Sequence, residues 1–434
     1  MILLSQEAFA KKKSHPPSPP PVKIHIDKII ITGTEETKSE IILRELPFQA
    51  NQDIDAGMIE EAQHRLTNLN LFNRVDVFTM QLPDSADQGN RVGLVIAATE
   101  RFYILPLPYG NWIGPDPKDY EYGFRYLQDN YRGMNRTVFG SVWGGVSKGF
   151  VLSYYDPWLV GTNGYGYGGQ IGYSTWLESV AGATGTYKRE RFNAVGSISK
   201  RYSPTLFSRV YYGVQRMRVQ PNLTLSGLTY DDMTLEKLEV IQDKRDLIEL
   251  PRKGSYFNPW IEFIVFKKPA KLRSTIGVDL RQYFPLDQHW TLSTQAAGVA
   301  VSGVTPQYMQ ATLGNVLTVR GNPDLNIPGD YFGKIAGDVR YILFPTRYWT
   351  WSSAPSWLAK PTRNLKYGLS VGAFTEVGRA WTKRDQLFGE RYFWGYGPAL
   401  TFSLPYVNVF RLDCGFNPGD KFHAHLYASV RVAL

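Results

Sequence analysis

The 434-residue chain has a single cysteine, Cys414, so no intrachain disulfide can form and a zinc site would lack its usual thiolate cluster. No run of eighteen apolar residues occurs and the mean hydropathy is -0.27, which excludes a bundle of membrane-spanning helices. Histidine is scarce: His15, His25, His64, His289, His423 and His425 are the whole set, and none stands in a catalytic motif. A lipase or protease barrel would need a histidine with a nucleophile or carboxylate at one rim, so no enzymatic role is expected, and no cofactor. His423 and His425 share a strand face where a metal could bind, although ordinary rim residues explain them as well. The net charge of +9 comes without a basic stripe or recognition motif, so it reads as solvated loops and not as a nucleic-acid surface.

Aromatics and glycine are plentiful, with 27 tyrosines, 23 phenylalanines, 11 tryptophans and 40 glycines. Strands that cross a bilayer show lipid one side chain in two, so hydropathy averages miss them, while aromatics collect at the interfaces. The composition fits such a girdle; an aromatic-rich soluble β-sandwich or propeller fits it too. Alternation along the chain has to decide.

Residues 1–21 stand apart. Ala8-Phe9-Ala10 before Lys11-Lys12-Lys13 resembles a small-residue cleavage site, as if the first residue lay inside a longer signal peptide. Five prolines between Pro16 and Pro21 make an extended spacer.

Residues 22–101 change pattern several times. A β-branched run over 23–31 stops at Gly33 as a strand ending in a turn does. Ile41, Ile42 and Glu45 or Leu46 have helical spacing over 37–46, closed by Pro47. Ile59, Ala62, Leu66 and Leu69 share one face of a second helix over 55–69, and Asn70 tolerates the left-handed turn at its end. Strands over 74–81 and 91–99 complete a β-α-α-β-β order. That order resembles a POTRA domain, with Ile29-Ile30-Ile31-Thr32-Gly33 early, the run from Leu66 to Phe72 in the middle and Glu100-Arg101 at the end. Asn70 stands where the family usually has glycine, and Thr34 where it often has asparagine. A three-stranded sheet has edges that can pair with an extended polypeptide of any sequence, although charge can blunt them and leave a plain spacer.

Residues 102–434 read as sixteen amphipathic strands with no convincing helix, the first over 104–113 and the last over 422–434. Leu272, Ser274, Ile276, Val278 and Leu280 oppose Arg273, Thr275, Asp279 and Arg281; Phe410, Leu412, Cys414 and Phe416 oppose Arg411 and Asp413. One face suits lipid and the other water, and closing the sheet removes edges that hydrocarbon cannot tolerate. Cys414 on this count is a small lipid-facing hydrophobe. Between two such runs Arg320 stands alone in Thr318-Val319-Arg320-Gly321-Asn322, and over 366–378 Glu376 shares the polar parity of Lys366, Gly368, Ser370 and Gly372. Glu376 is therefore the expected lumenal counter-charge of Arg320, and reversing both charges is expected to restore what either reversal breaks.

The barrel resembles that of the BamA-type outer-membrane assembly superfamily, which includes two-partner secretion transporters. The signals, in order, are Asp129-Asn130-Tyr131-Arg132-Gly133, the run from Tyr155 to Gly161, Asp243 to Asp246 with Pro251-Arg252-Lys253-Gly254, Arg281 to Leu286, Val319-Arg320-Gly321, and Phe374-Thr375-Glu376-Val377-Gly378. The resemblance implies that a loop after the eleventh strand enters the lumen and that its Arg320-Gly321 tip meets the thirteenth strand at Glu376 and Gly378. Asn322 replaces the usual aromatic, Glu376 the usual aspartate, and Leu434 a common terminal aromatic.

Leu105-Pro106-Leu107-Pro108 opens the first strand, and two prolines two apart delete two amide donors from one side. If that side faces the last strand, where Leu426, Ala428, Val430 and Val432 share a face, the seam is weak; otherwise the stretch is a linker. The implied function is an insertase or translocase of the bacterial outer membrane, its amino-terminal domain in the periplasm. Its partners would be outer-membrane lipid, unfolded or secreted polypeptide clients and accessory assembly proteins, with no nucleic acid. A dedicated exporter of one secreted partner and a passive pore remain alternatives.

Overall fold

The computed structural model describes residues 23–82, 92–112, 120–179, 186–382, 392–419 and 425–431. The spacer over 1–21 and Val432 lie outside them. The amino-terminal domain contains β1 (Ile24–Ile26), β2 (Lys28–Thr32), α1 (Ser39–Leu43), β3 (Gln52–Ile54), α2 (Ala56–Asn68), β4 (Phe72–Gln81) and β5 (Val92–Glu100). Its sheet runs β2-β5-β4, with β2 parallel and β4 antiparallel to the central strand. Ile41 and Ile42 of α1 and Ala62 and Leu66 of α2 pack on Val75, Val77, Leu94 and Ile96, which is the apolar stripe of each helix meeting one face of the sheet. Asp55 caps α2 by accepting from the Met58 amide at 2.9 Å, and Asn70 takes φ of 56° just past its end.

Two local features depart from the expected β-α-α-β-β order. The first run splits at Asp27, whose amide donates to the Val92 carbonyl and whose carboxylate accepts from the Val92 amide, turning the chain between β1 and β2. The added β3 pairs only with β1. Three-residue strands carry too little alternation to register in a sequence.

The rest of the chain forms β6 (Ile104–Trp112), β7 (Tyr120–Gln128), β8 (Thr137–Gly145), β9 (Lys148–Asp156), β10 (Tyr165–Ser179) and β11 (Thr186–Ser203). It continues with β12 (Leu206–Arg218), β13 (Tyr230–Asp243), β14 (Gly254–Lys267), β15 (Ala270–Pro285) and β16 (Trp290–Gly303). After a loop holding the small hairpin β17 (Thr312–Leu313) and β18 (Ile327–Pro328) come β19 (Tyr331–Trp349), α3 (Ser356–Ala359), β20 (Leu365–Trp381), β21 (Phe393–Leu404), β22 (Val407–Gly415) and β23 (His425–Arg431). Sixteen of these strands make one antiparallel sheet in chain order from β6 to β23, with the hairpin set aside. All sixteen expected strands are present. β11 and β19 run longest, at 18 and 19 residues. The one turn of α3 and the three short 3-10 segments are too brief to show helical periodicity.

The sheet rolls into a barrel: Lys366 of β20 is ion-paired at 2.6 Å with Glu249 in the turn after β13, five strands away along the wall. Leu272, Ile276 and Leu280 are 48%, 56% and 43% exposed on the outside, while Arg273 and Thr275 are buried within. Among the described residues no helix is long and apolar enough to cross a membrane.

Candidate functional site

The loop over 304–330 enters the barrel because its apolar side chains find partners on the lumenal wall. Tyr308 is buried against Met217, Met233, Ile264 and Phe266 and donates its hydroxyl to Asp231 at 2.7 Å. Leu313 and Val319 are buried with Val299, Val301 and Phe332. These anchors carry Arg320 to the tip. Gly321 there has φ of 84°, and a Cβ on it would lie 2.4 Å from the Phe416 carbonyl oxygen, so backbone alone fits.

Arg320 sends Nε and Nη2 to Glu376 Oε2 at 3.2 and 3.1 Å, and its backbone amide also donates to that carboxylate. Nη1 reaches Asp413 Oδ2 at 3.0 Å, and the guanidinium carbon lies 3.6 Å from the centre of the Phe374 ring. Lys334 Nζ binds Glu376 Oε2 at 3.0 Å and donates to the Thr318 carbonyl at 2.8 Å. Arg411 donates to Asp413 Oδ1 at 2.7 Å and is paired with Asp338. The Glu376 side chain is 0% exposed and Arg320 20%, so the carboxylate is dry and the cation keeps one wet side.

Glu376 and Asp413 lie inside the barrel as strand parity expects, but the ion pair is part of a wider network. Asp413 sits on β22, two strands from β20, and Lys334 on β19, where it faces Gly378. Gly378 leaves room for the loop: a Cβ there would be 2.5 Å from Val319 Cγ2. Asn322 sends Nδ2 to the Trp394 carbonyl at 2.8 Å, and Asn417 Nδ2 donates to the Gly321 carbonyl at 2.7 Å, so backbone on both sides of the tip is held.

The four seam residues of the first strand all lie on β6, with Leu105 opposite Leu127, Pro106 opposite Tyr126, Leu107 opposite Arg125 and Pro108 opposite Phe124 on β7. Leu426, Ala428 and Val430 of β23 face Cys414, Leu412 and Phe410 on β22. β6 and β23 end the strand order, and among the described residues no ladder joins them. A strand with a ladder on one side only accommodates proline, which cannot donate. Asp413, held by the loop arginine, faces Tyr427 of β23, so latch and terminal strand are direct neighbours.

Residues 24–101 match the family described as POTRA, surface antigen variable number repeat. The chain superposes on BamA from Haemophilus ducreyi lacking POTRA domains 1-3, with a TM-score of 0.52, 16% identity, and coverage of 93% of this chain and 83% of that one. It also superposes on CdiB from Escherichia coli, with a TM-score of 0.51, 10% identity, and coverage of 98% and 90% respectively. The fold is thus similar to that of BamA and CdiB, with a POTRA domain ahead of a sixteen-stranded antiparallel barrel.

The POTRA domain docks on the barrel turns, and several of the sequence signals meet there. Asn130 and Arg132 take φ of 53° and 59° in the turn after β7. That turn accepts the Lys38 amide at the Gly133 carbonyl, 3.0 Å, while Asn130 Nδ2 donates to Thr37 Oγ1 at 2.8 Å. Trp158 lies under Arg44, and Arg201 grips Glu45 with two bonds of 2.6 Å. Asn68 of α2 exchanges hydrogen bonds of 2.9 Å with the Asp246 carbonyl and the Ile248 amide. Lys360 and Asn364 of the turn after β19 reach Glu36 and Thr99 at 2.7 Å each.

Glu100 organises the loop that meets the barrel. Its carboxylate accepts the amides of Glu35, Glu36 and Thr37 at 3.0, 3.1 and 2.7 Å and the Thr37 hydroxyl at 2.6 Å. Burial pushes its pKa up, but these donors outweigh burial and hold it below the ordinary value. A depressed pKa gives stability that is complete above the unfolded-state value, about 4.5, and is lost as pH falls through the folded-state value. Acidification through the folded-state value, below 4.5, is therefore expected to lower the protection of residues 33–38 relative to their intrinsic exchange rates, while Glu100→Gln should show low protection at every pH with no such step. Equal protection of that segment on both sides of this pH range would contradict the assignment.

Proposed function

We propose that the protein is an insertase or translocase of the outer membrane, with residues 22–101 receiving unfolded polypeptide on the periplasmic side and the barrel over 102–434 passing it on through a seam between first and last strands. The observation that carries this reading is the pair of prolines on β6, a strand whose ladder, among the described residues, is with β7 alone. An incoming strand can pair at such an edge through its backbone, whatever its side chains. Capture comes first. The β2 edge of the POTRA sheet, which pairs on one side with β5, offers the same backbone chemistry to an extended client.

The loop arginine then has a mechanical role. By tying β20 and β22 together through Glu376 and Asp413, it stiffens the wall beside β23, so that strain during strand entry falls on the β6–β23 junction. Lipid and polypeptide are the partners this mechanism needs.

Cysteine pairs scanned along 105–108 and 426–430 in a Cys414→Ser background test the proposal. Oxidised pairs should abolish client insertion and reductant should restore it; full activity of a fully crosslinked protein would exclude the seam. A dedicated exporter would transport one secreted chain and ignore others. A passive pore would keep its conductance after deletion of the POTRA domain.

A further inference from the structure

The outer wall of β10 to β14 is unlike a uniform lipid-facing surface. At the barrel end away from the POTRA domain, outward positions carry Lys188, Arg216, Arg218 and Lys267, with Lys268 in the adjoining turn; among the described residues Glu190 and Asp232 stand between them, and Glu236 lies four residues further along β13. The first three are 56%, 50% and 55% exposed on their side chains. Glu190 is already engaged by Lys188 at 2.7 Å and Arg218 at 3.2 Å, and Asp232 by Arg216 at 2.6 Å. The carboxylates thus hold the cations in an array and still leave an excess of positive charge. Charge on a lipid-facing wall is costly at mid-membrane and tolerated near the headgroups, so this array marks headgroup level.

Directly below it the wall is hollow. Gly169 on β10 faces Gly196 on β11, and Ala194 is the next outward residue toward the charged end. A Cβ on Gly196 would meet nothing within 4 Å. Leu152, Tyr167, Ile198 and Tyr212 rim a furrow of about 1050 Å³, and Val214 borders both the furrow and the charged cluster. The register runs Arg218–Glu190, Arg216–Phe192, Val214–Ala194, Tyr212–Gly196 and Val210–Ile198. From Arg218 to Val210 that is roughly 27 Å of strand at ~3.4 Å per residue. One leaflet of hydrocarbon is about 15 Å deep, so the furrow can follow an acyl chain through it even along a tilted strand.

We propose that this face is a specific site for a lipid with a phosphate headgroup, its phosphate on Arg216, Arg218 and Lys267 and one acyl chain in the furrow floored by Gly169, Ala194 and Gly196. Guanidinium forks suit phosphate oxygens, and the two arginines are preset by their carboxylate partners. The furrow selects a chain in place of a side chain. Neither element depends on the loop latch, the seam or the activity proposed above.

The test uses the full chain in phosphatidylcholine nanodiscs, with dioleoyl phosphatidic acid added and the lipids retained on release into detergent counted by native mass spectrometry. The parent protein should retain phosphatidic acid at least tenfold over phosphatidylcholine, and inorganic phosphate alone should not displace it. The triple variant R216Q/R218Q/K267Q should lose that selectivity. Gly196→Phe, which fills the furrow while leaving the cations, should lower retention at least fivefold. Because the altered side chains face outward, gel mobility of the unheated barrel should report folding in every variant. Equal retention of both lipids by the parent, or undiminished selectivity in the triple variant, would overturn the site. Loss of retention in the triple variant with none in Gly196→Phe would reject the furrow.

Discussion

Glu376→Ala is expected to lower the stability of the barrel by about 3 kcal/mol. Exposed ion pairs contribute ~0 to 1 kcal/mol and orphaned members of dry ones cost ~3 to 5. The case lies toward the upper range because the Glu376 side chain is 0% exposed and serves two cations, Arg320 and Lys334. Arg320 would retain Asp413, whereas Lys334 would keep only the Thr318 carbonyl. Urea unfolding followed by tryptophan fluorescence measures the loss, and parental stability in this variant would refute the latch. The three-dimensional neighbourhood also changes the forecast for swapping the charges. Arg320→Glu with Glu376→Arg would set the new glutamate against Asp413 and the new arginine against Lys334, so the double reversal should fail to rescue. Glu376→Asp, which keeps the charge, should lose about 1 kcal/mol or less.

Glu45→Ala should release the POTRA domain from the barrel. Glu45 is 2% exposed and receives both forks of Arg201, with Arg44 Nε at 3.5 Å as well. Removing it leaves two guanidiniums beside Trp158, at 5.0 and 5.9 Å from its ring, with no carboxylate between them. The cost to docking is expected to approach ~3 kcal/mol, the lower end for a broken buried pair, since two half-buried cations then repel. Arg201→Ala added to Glu45→Ala should recover part of it, because the repulsion disappears with the second cation. Limited proteolysis at the segment joining the domains, around residue 102, would read the outcome. Equal cleavage of parent and Glu45→Ala would show that the remaining contacts, those of Lys38, Asn68, Asn130, Lys360 and Asn364 among them, hold the domain without Glu45.

Much of the lumenal site is legible in the amino-acid order because strand parity is a strict rule. An arginine in a loop and a glutamate on the polar parity of a strand can share an interior, and they do. The same rule puts Asp413 inside without saying that it touches Arg320, because contact depends on how many strands separate it from Glu376 and how sharply the wall curves. Lys334 and Asn322 give no comparable signal. Their roles follow from the cross-strand register of β19 and β20 and from the approach of the loop to β21. The break between β1 and β2 and the short strand β3 escape notice for a simpler reason, since three residues carry less than two periods of alternation.

Alternating side chains along the carboxy-terminal three quarters of the chain are enough to specify sixteen strands with an oily and a wet face, since each residue chooses between lipid and water locally. Helical spacing and turn residues do the same for the small domain ahead of them. What the sequence could not decide was which turns meet which domain surface, or that scattered aspartates, arginines and glycines would converge as a latch, a docking face and an outer furrow. Those are distances between residues tens to hundreds of positions apart, and they are set by sheet register, barrel curvature and packing, which exist only once the chain has closed on itself.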